Sequence, residues 1–327
     1  MNNYIPPYNT TEEMLSLVSE IMESLGQLSS VNDLAKLPKL RRANRIKSIH
    51  SSLAIEHNSL SLEQVSDIIN GKRVLGAPDE IQEVKNAIDA YKLLENLDPY
   101  NIEDLLKAHK AMTYGLIEEA GKFRVGEEGV FAGERCIHVA PPAKNVPSLM
   151  QDLFVWLKNT KAHPLIKSSI FHYEFEFIHP FRDGNGRMGR FWQTAILSKW
   201  KPIFAWIPVE SMIINKQEEY YEAIAKSTAV GNSNPFIIFM LEAFLQAIKG
   251  LVHESNDHMN HINARVRQLM EVIKDYPMTA NELMKLLGLK SKETFRQNYL
   301  LPALEAGIIC MTIPEKPTSR NQMYYKK

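Results

Sequence analysis

Apolar residues recur along this chain mainly at helical spacing. Thr10 with Glu13 reads as a capping box that opens the run Met14 to Leu25, and Ile46, Ile49 and Leu53 form a stripe on a later helix. Within Leu165 to Ile178 the positions 166, 170, 173 and 177 are apolar, which predicts a buried helix, and another is expected from Gly189 to Trp200. Pro141-Pro142, Pro147 and Pro164 punctuate the middle of the chain. There Val130-Phe131 and Cys136 to Val139 flank Gly133 as a short hairpin, expected to be the only sheet before residue 300. Toward the C-terminus, Thr279 and Glu282 form a second capping box opening Ala280 to Leu287, with Gly288 as a stop. A helix over Ser291 to Ala306, ended by Gly307, precedes strand-like stretches at Ile308 to Ile313 and Gln322 to Tyr325. The fold class is therefore mainly α with a small hairpin, and the C-terminal order of helices and strands is that of a winged helix-turn-helix.

Composition narrows the function classes. At 327 residues the chain predicts about two domains and a core that needs no metal or disulfide staple. Cys136 and Cys310 are too few for a disulfide framework and lack zinc-site spacing, so a cytoplasmic setting is expected. No secretory leader is visible, and the most apolar stretch, Pro235 to Val252, carries Glu242, Gln246 and Lys249, so no membrane partner is expected. Charge is balanced overall but uneven: residues 262–327 hold 11 Lys and Arg against 6 Asp and Glu, whereas residues 1–261 hold 27 against 32. Lys290, Lys292, Arg296 and Arg320 could face phosphates while Gln297 and Asn298 reach base edges, so DNA is one expected partner of this segment and protein docking the other.

The segment His179 to Arg190 concentrates a titratable base, a carboxylate, glycines, an amide and spaced arginines within twelve residues. Gly184 and Gly186 let successive N–H groups turn inward, and the helix that follows adds its positive end, which together make an anion pocket. Arg187 and Arg190, three apart, can reach one side and grip further phosphates. Asp183 at the mouth would repel bare phosphate unless a hard cation such as Mg²⁺ lay between. His179 supplies a group that titrates near neutrality and can take a proton from an attacking hydroxyl. Phe181 is expected to be a buried anchor, and Pro180 to hold His179 extended. A Walker loop is excluded because no Gly-Lys-Ser/Thr follows at the required spacing.

His179-Pro-Phe181-Arg-Asp183-Gly184-Asn185-Gly186-Arg187-Met-Gly-Arg190 resembles the Fic family signature HxFx(D/E)GNGRxxR at every defined position. The resemblance runs from about Gly121-Lys122-Phe123-Arg124 to Trp200. It implies a helical Fic core and transfer of AMP from ATP to a Ser, Thr or Tyr hydroxyl of a target protein. His179 would be the base, Asp183 the Mg²⁺ ligand, Gly184, Asn185 and Gly186 the phosphate cradle, and Arg187 and Arg190 the triphosphate clamps. Doc-type relatives, which phosphorylate, carry a lysine where Gly186 stands, so the resemblance favours adenylyl transfer. The hairpin Gly129 to Ala140 corresponds to the family's flap, which can hold a target segment by strand addition.

Ser52-Leu-Ala-Ile-Glu56 resembles the family's inhibitory motif (S/T)xxxE(G/N), with His57 where the family has Gly or Asn. Glu56 falls at the next position of the Ile46, Ile49, Leu53 stripe, and a carboxylate on a buried face requires a partner. The resemblance assigns that partner as Arg190. The organisation expected is thus an N-terminal helical region over 1–105 with the inhibitory helix, a Fic core over 106–255 and a winged-helix-like domain over 262–327. Two further readings are a DNA-associated regulator that senses nucleotide and an enzyme that removes AMP; a homodimer is compatible with each. His253, His258 and His261 are expected on a solvated helical face, His172 as a packed histidine, and Phe171, Tyr173, Phe175 and Phe177 as core.

Overall fold

The computed structural model describes residues 4–31, 38–126, 129–132, 135–305 and 307–326. The chain divides into two compact units, Met1–Leu251 and Val252–Lys327. The first contains α1 (Glu12–Val31), α2 (Pro38–Ile55), α3 (Leu62–Ile69), α4 (Pro78–Leu93) and α5 (Ile102–Met112). The hairpin β1 (Gly129–Ala132) and β2 (Arg135–Val139) follows, then α6 (Val146–Asn159), α7 (Pro164–Ile178), α8 (Asn185–Trp200), α9 (Glu210–Asn215) and α10 (Gln217–Val230). α11 (Asn234–Val272) runs on past the boundary of the units. Thr11, one place later than expected from the sequence, caps α1 by accepting from Met14 N–H at 3.2 Å. β1 and β2 pair antiparallel with a bulge between Val130 and Phe131, and Gly133 lies outside the described residues.

α7 and α8 form the centre of the first unit. α7 is buried on nearly all sides, its polar as well as its apolar positions. Two of its polar members are paired: His172 bonds Gln193 at 2.6 Å and the Tyr220 hydroxyl at 3.1 Å, and the Tyr4 hydroxyl donates to Glu174 at 2.5 Å. α8 starts at Asn185, earlier than the Gly189 expected, because Gly186 and Gly189 lie inside the helix and serve close packing, while Gly184 makes the turn before it. A Cβ on Gly189 would stand 2.6 Å from Glu176 Oε1 and 2.7 Å from His172 Cδ2, so α8 can approach α7 there only without a side chain. The helix Asn234–Glu254 is long and apolar enough to cross a membrane by length and composition, yet 61% of it is buried inside the protein, as in a core helix.

In the second unit, β3 (Met278–Thr279) leads into α12 (Ala280–Leu286), whose capping box between Thr279 and Glu282 is formed as expected. α13 (Lys292–Phe295) continues through a π-helical turn over Arg296–Leu300 into α14 (Leu301–Glu305), and Ala306 lies outside the described residues. β4 (Ile309–Met311) and β5 (Met323–Lys326) complete an antiparallel sheet of order β3-β5-β4. The two-residue β3 corrects the expectation of a single sheet before residue 300, since so short a strand carries no alternation to read. Val266, Leu269, Ile273, Leu283, Phe295, Leu300 and Tyr324 close its core.

Candidate active site

α7 ends on His179, whose φ of 49° and ψ of 61° place it in the left-handed region. This corrects the extended geometry expected before Pro180. The left-handed turn caps the helix and swings the chain away from its axis, and three consecutive carbonyls at the turn are held by one residue, two by its side chain and one by its backbone. Arg124 Nε donates to the His179 carbonyl at 2.7 Å and Nη2 to that of Ile178 at 3.2 Å, while its own N–H donates to Pro180 O at 2.9 Å. The same guanidinium reaches Gly126 O at 2.8 Å and Pro141 O at 2.5 Å, so it ties the catalytic loop to both ends of the hairpin segment. His179 Nδ1 is buried and has no hydrogen-bond partner among the described residues.

Phe181 is fully buried and stacks on His109 with ring centroids 3.6 Å apart. His109 Nδ1 accepts from Gly121 N–H at 2.9 Å, so its Nε2 carries the proton and donates to Asp183 O at 3.0 Å. Burial holds the His109 pKa down, to about 4, which keeps this tautomer neutral. The Asn185 side chain is committed within the loop. Its amide turns back on Phe181, accepting from that residue's N–H at 2.9 Å and donating to its carbonyl at 2.7 Å, so it staples the loop and leaves only its backbone N–H facing the cradle.

Gly184 precedes α8 at φ 79°, and the first N–H of this segment to bond back is Met188 to Gly184 O at 2.9 Å. The first-turn N–H groups are therefore available to an anion, with the helix dipole behind them. Both arginines lie against this turn: Arg187 Nη2 stands 3.7 Å from the Cβ position of Gly184, and Arg190 Nη1 stands 3.1 Å from that of Gly186. Arg187 pairs with Glu83 at 2.9 Å and with both Asp183 oxygens at 3.1 Å. Asp183, half exposed at the mouth, offers one carboxylate, which fits a hard cation that brings its remaining oxygen ligands as phosphate and water.

Arg190 is buried and makes three contacts with the last turn of α2 and the residue just beyond it. It donates to Ser52 Oγ at 3.1 Å, Ser52 O at 2.9 Å and Glu56 Oε1 at 2.7 Å. Burial lowers the pKa of the guanidinium, but Glu56, followed by Tyr220 and Glu176, outweighs it and the net direction is up. Glu56 itself is not on a buried face: α2 ends at Ile55, and the turn that follows lifts the carboxylate to the rim, where its side chain is 34% exposed. His57 completes that turn in the left-handed region with φ 69°, the conformation that glycine or asparagine adopts most readily. Asn58 then donates to Glu83 Oε2 at 2.8 Å, linking the turn to the partner of Arg187. A side chain on Gly186 would collide with Glu56 Oε1.

Of the residues singled out by sequence, Ser52, Glu56, His179, Asp183, Gly184, Asn185, Gly186, Arg187 and Arg190 all converge on the junction of α2, α7 and α8. The supporting residues Glu83, His109 and the hinge role of Arg124 were missed. No spacing rule points to a lone buried histidine on α5 or a glutamate on α4, because their value lies in contacts distant in the chain. His172 is the packed histidine expected, and Phe171, Tyr173 and Phe175 are core, whereas Phe177 is partly exposed. The side chains of His258 and His261 lie outside the described residues.

The family model for the Fic/DOC family matches residues 96–197, and that for the Filamentation induced by cAMP protein Fic-like C-terminal domain matches residues 264–325. A solved Fic family protein from Desulfovibrio desulfuricans G20 is 48% identical, with a TM-score of 0.76 over 99% of this chain and 98% of that one. Curated relatives named protein adenylyltransferase Fic include one from Aedes aegypti, 29% identical over 69% of this chain and 47% of its own length. Another, from Culex quinquefasciatus, is 30% identical over 69% of this chain and 47% of its own. The chain thus spans about half the length of the curated relatives it matches.

Proposed function

This chain belongs to the Fic/DOC family, and from that premise we propose that it is a protein adenylyltransferase held in check by Glu56. The reaction moves AMP from ATP to a Ser, Thr or Tyr hydroxyl of a target protein. His179 takes the proton as the hydroxyl oxygen bonds to the α-phosphorus. The bond from that phosphorus to the bridging oxygen breaks, and pyrophosphate leaves against the guanidinium groups and the first-turn N–H groups of α8. The single observation that carries this reading is the first turn of α8, where open N–H groups meet two buried guanidinium groups.

Asp183 would hold Mg²⁺ together with phosphate oxygens, and that ion would supply charge neutralisation at the phosphates. Glu56 occupies Arg190 at 2.7 Å, so a triphosphate whose terminal phosphate needs that guanidinium competes with a charge-assisted bond already formed. The relatives named adenylyltransferases support this assignment. The distinguishing test incubates wild type and His179→Ala with ATP labelled at the α- or γ-phosphorus and a cell lysate. Transfer of α-label alone, lost in His179→Ala, is expected; transfer of γ-label would make the enzyme a kinase, and no transfer of either would favour a nucleotide sensor.

A further inference from the structure

A second arginine-rich site lies in the first unit, on the N-terminal half of α2 and away from the turn of α8. A cavity of about 500 Å³ opens between α2, α4 and the segment carrying Trp206, a size suited to a small organic ligand. Arg41, Arg42 and Arg45 border it together with Lys92, against one carboxylate, Glu95. The Arg45 guanidinium is sandwiched between rings, 4.5 Å from the centroid of Tyr91 and 4.6 Å from that of Trp206, and Arg41 lies 5.2 Å from the Trp206 centroid. Stacking fixes the faces of these groups and leaves their edges, where the N–H donors are, to find acceptors.

Among the described residues two of these donors lack an acceptor. Arg41 Nε and Arg45 Nη1 are buried with no hydrogen-bond partner. Lys92 is engaged with Asp89 at 2.8 Å, and Arg42 donates to Asn70 Oδ1. Burial lowers the Arg45 pKa, against smaller opposing effects of Tyr91, Glu210 and Glu95, as expected for a guanidinium short of counter-charge. Glu210 spends its oxygens elsewhere, accepting from Ser48 at 2.8 Å and Tyr91 at 3.2 Å. Buried donors left unsatisfied are costly; these two nitrogens are closed off, so a ligand in the cavity is met by the remaining N–H groups of Arg41, Arg42 and Arg45 that line it. The rest of the wall is apolar: Ile46, Ile49, Ile69 and Ile88.

We infer that this cavity is a binding site for a phosphate monoester with an apolar body, its phosphate oxygens accepting from the arginine edges and its body covering the isoleucines. Three forked cations around one cavity match the three peripheral oxygens and double charge of a phosphate better than the two oxygens of a carboxylate. The site rests on side chains separate from Arg187 and Arg190, so its ligand is bound whether or not the α8 turn acts on ATP. It lies on the helix whose last turn holds Ser52 and which Glu56 directly follows, about 10 Å along the axis from Arg45 to Ser52 at ~1.5 Å per residue.

Isothermal titration of the full chain with naphthyl phosphate at low salt tests the assignment. One saturable site is expected, kept in Arg187→Ala, which disables the phosphate clamp on α8. Affinity should fall about ten-fold or more in Arg41→Gln, the loss of a charge-assisted contact. Naphthol should not bind, and naphthoate should bind at least about ten-fold more weakly than the phosphate. Arg42→Gln, at an exposed position, should weaken binding about three-fold or more and decides the matter if Arg41→Gln fails to fold by circular dichroism. No saturable binding to wild type, loss of binding in Arg187→Ala, indifference to both α2 substitutions, or naphthoate binding as tightly as the phosphate would each overturn the inference.

Discussion

Single residues set the state of the α8 turn. Arg190 is buried, and removing every partner from such a guanidinium would be strongly destabilising. Ser52 supplies two of its three contacts, so the fold does not depend on Glu56. His57 is the costly position: a non-glycine residue in the left-handed region gives up about 1 kcal/mol. Its replacement by Gly removes that strain but enlarges the entropy of the unfolded chain, and the net expectation for His57→Gly is a gain of roughly 0.5 kcal/mol. Urea unfolding checks this; a clear loss of stability would mean that the imidazole itself holds the turn. The Fic signature and the Ser52 and Glu56 spacing were legible in the sequence because they are local. The rim position of Glu56 was not, since it depends on α2 ending one residue early.

At the scale of elements, the loop from α7 to α8 is held from outside by α5 and by the segment before the hairpin. His109 on α5 contributes through a neutral ring whose two nitrogens are both committed, one to Gly121 and one to Asp183. Its pKa falls from 6.5 to about 4 on burial, so its contribution is complete above pH 6.5 and is lost as pH falls through 4. A shift of this size corresponds to about 3 kcal/mol. The stability gap between wild type and His109→Asn, measured by urea unfolding, should therefore shrink as pH is lowered across that range, and a constant gap would remove the histidine from the account. The helical pattern of α7 was plain from its apolar run, whereas the start of α8 was hidden by glycines that read as a loop and serve as contact points. Periodicity reports one face of one element and is silent on which distant group will press against it.

At the scale of the whole molecule, the two units carry different expectations. In Val252–Lys327, Lys290, Lys292, Arg296 and Arg320 are exposed, while the Gln297 amide is engaged with Glu293 at 2.9 Å. The helix order and the closing hairpin were legible from caps and glycines, but the partner of this unit follows from neither. If the unit binds duplex DNA through these side chains, affinity should fall steeply with salt, by about 0.9 log units per phosphate contact for each tenfold rise in salt, as read by fluorescence anisotropy. Absence of binding at low salt would leave protein docking. The central claim concerns the first unit: the α8 turn receives a triphosphate only when Glu56 gives up Arg190. The most direct measurement is transfer of α-label from ATP by wild type and Glu56→Gly at equal concentration. The account predicts labelling raised by about ten-fold or more in Glu56→Gly, the effect of removing one charge-assisted competitor; equal labelling by two folded, active proteins would contradict it.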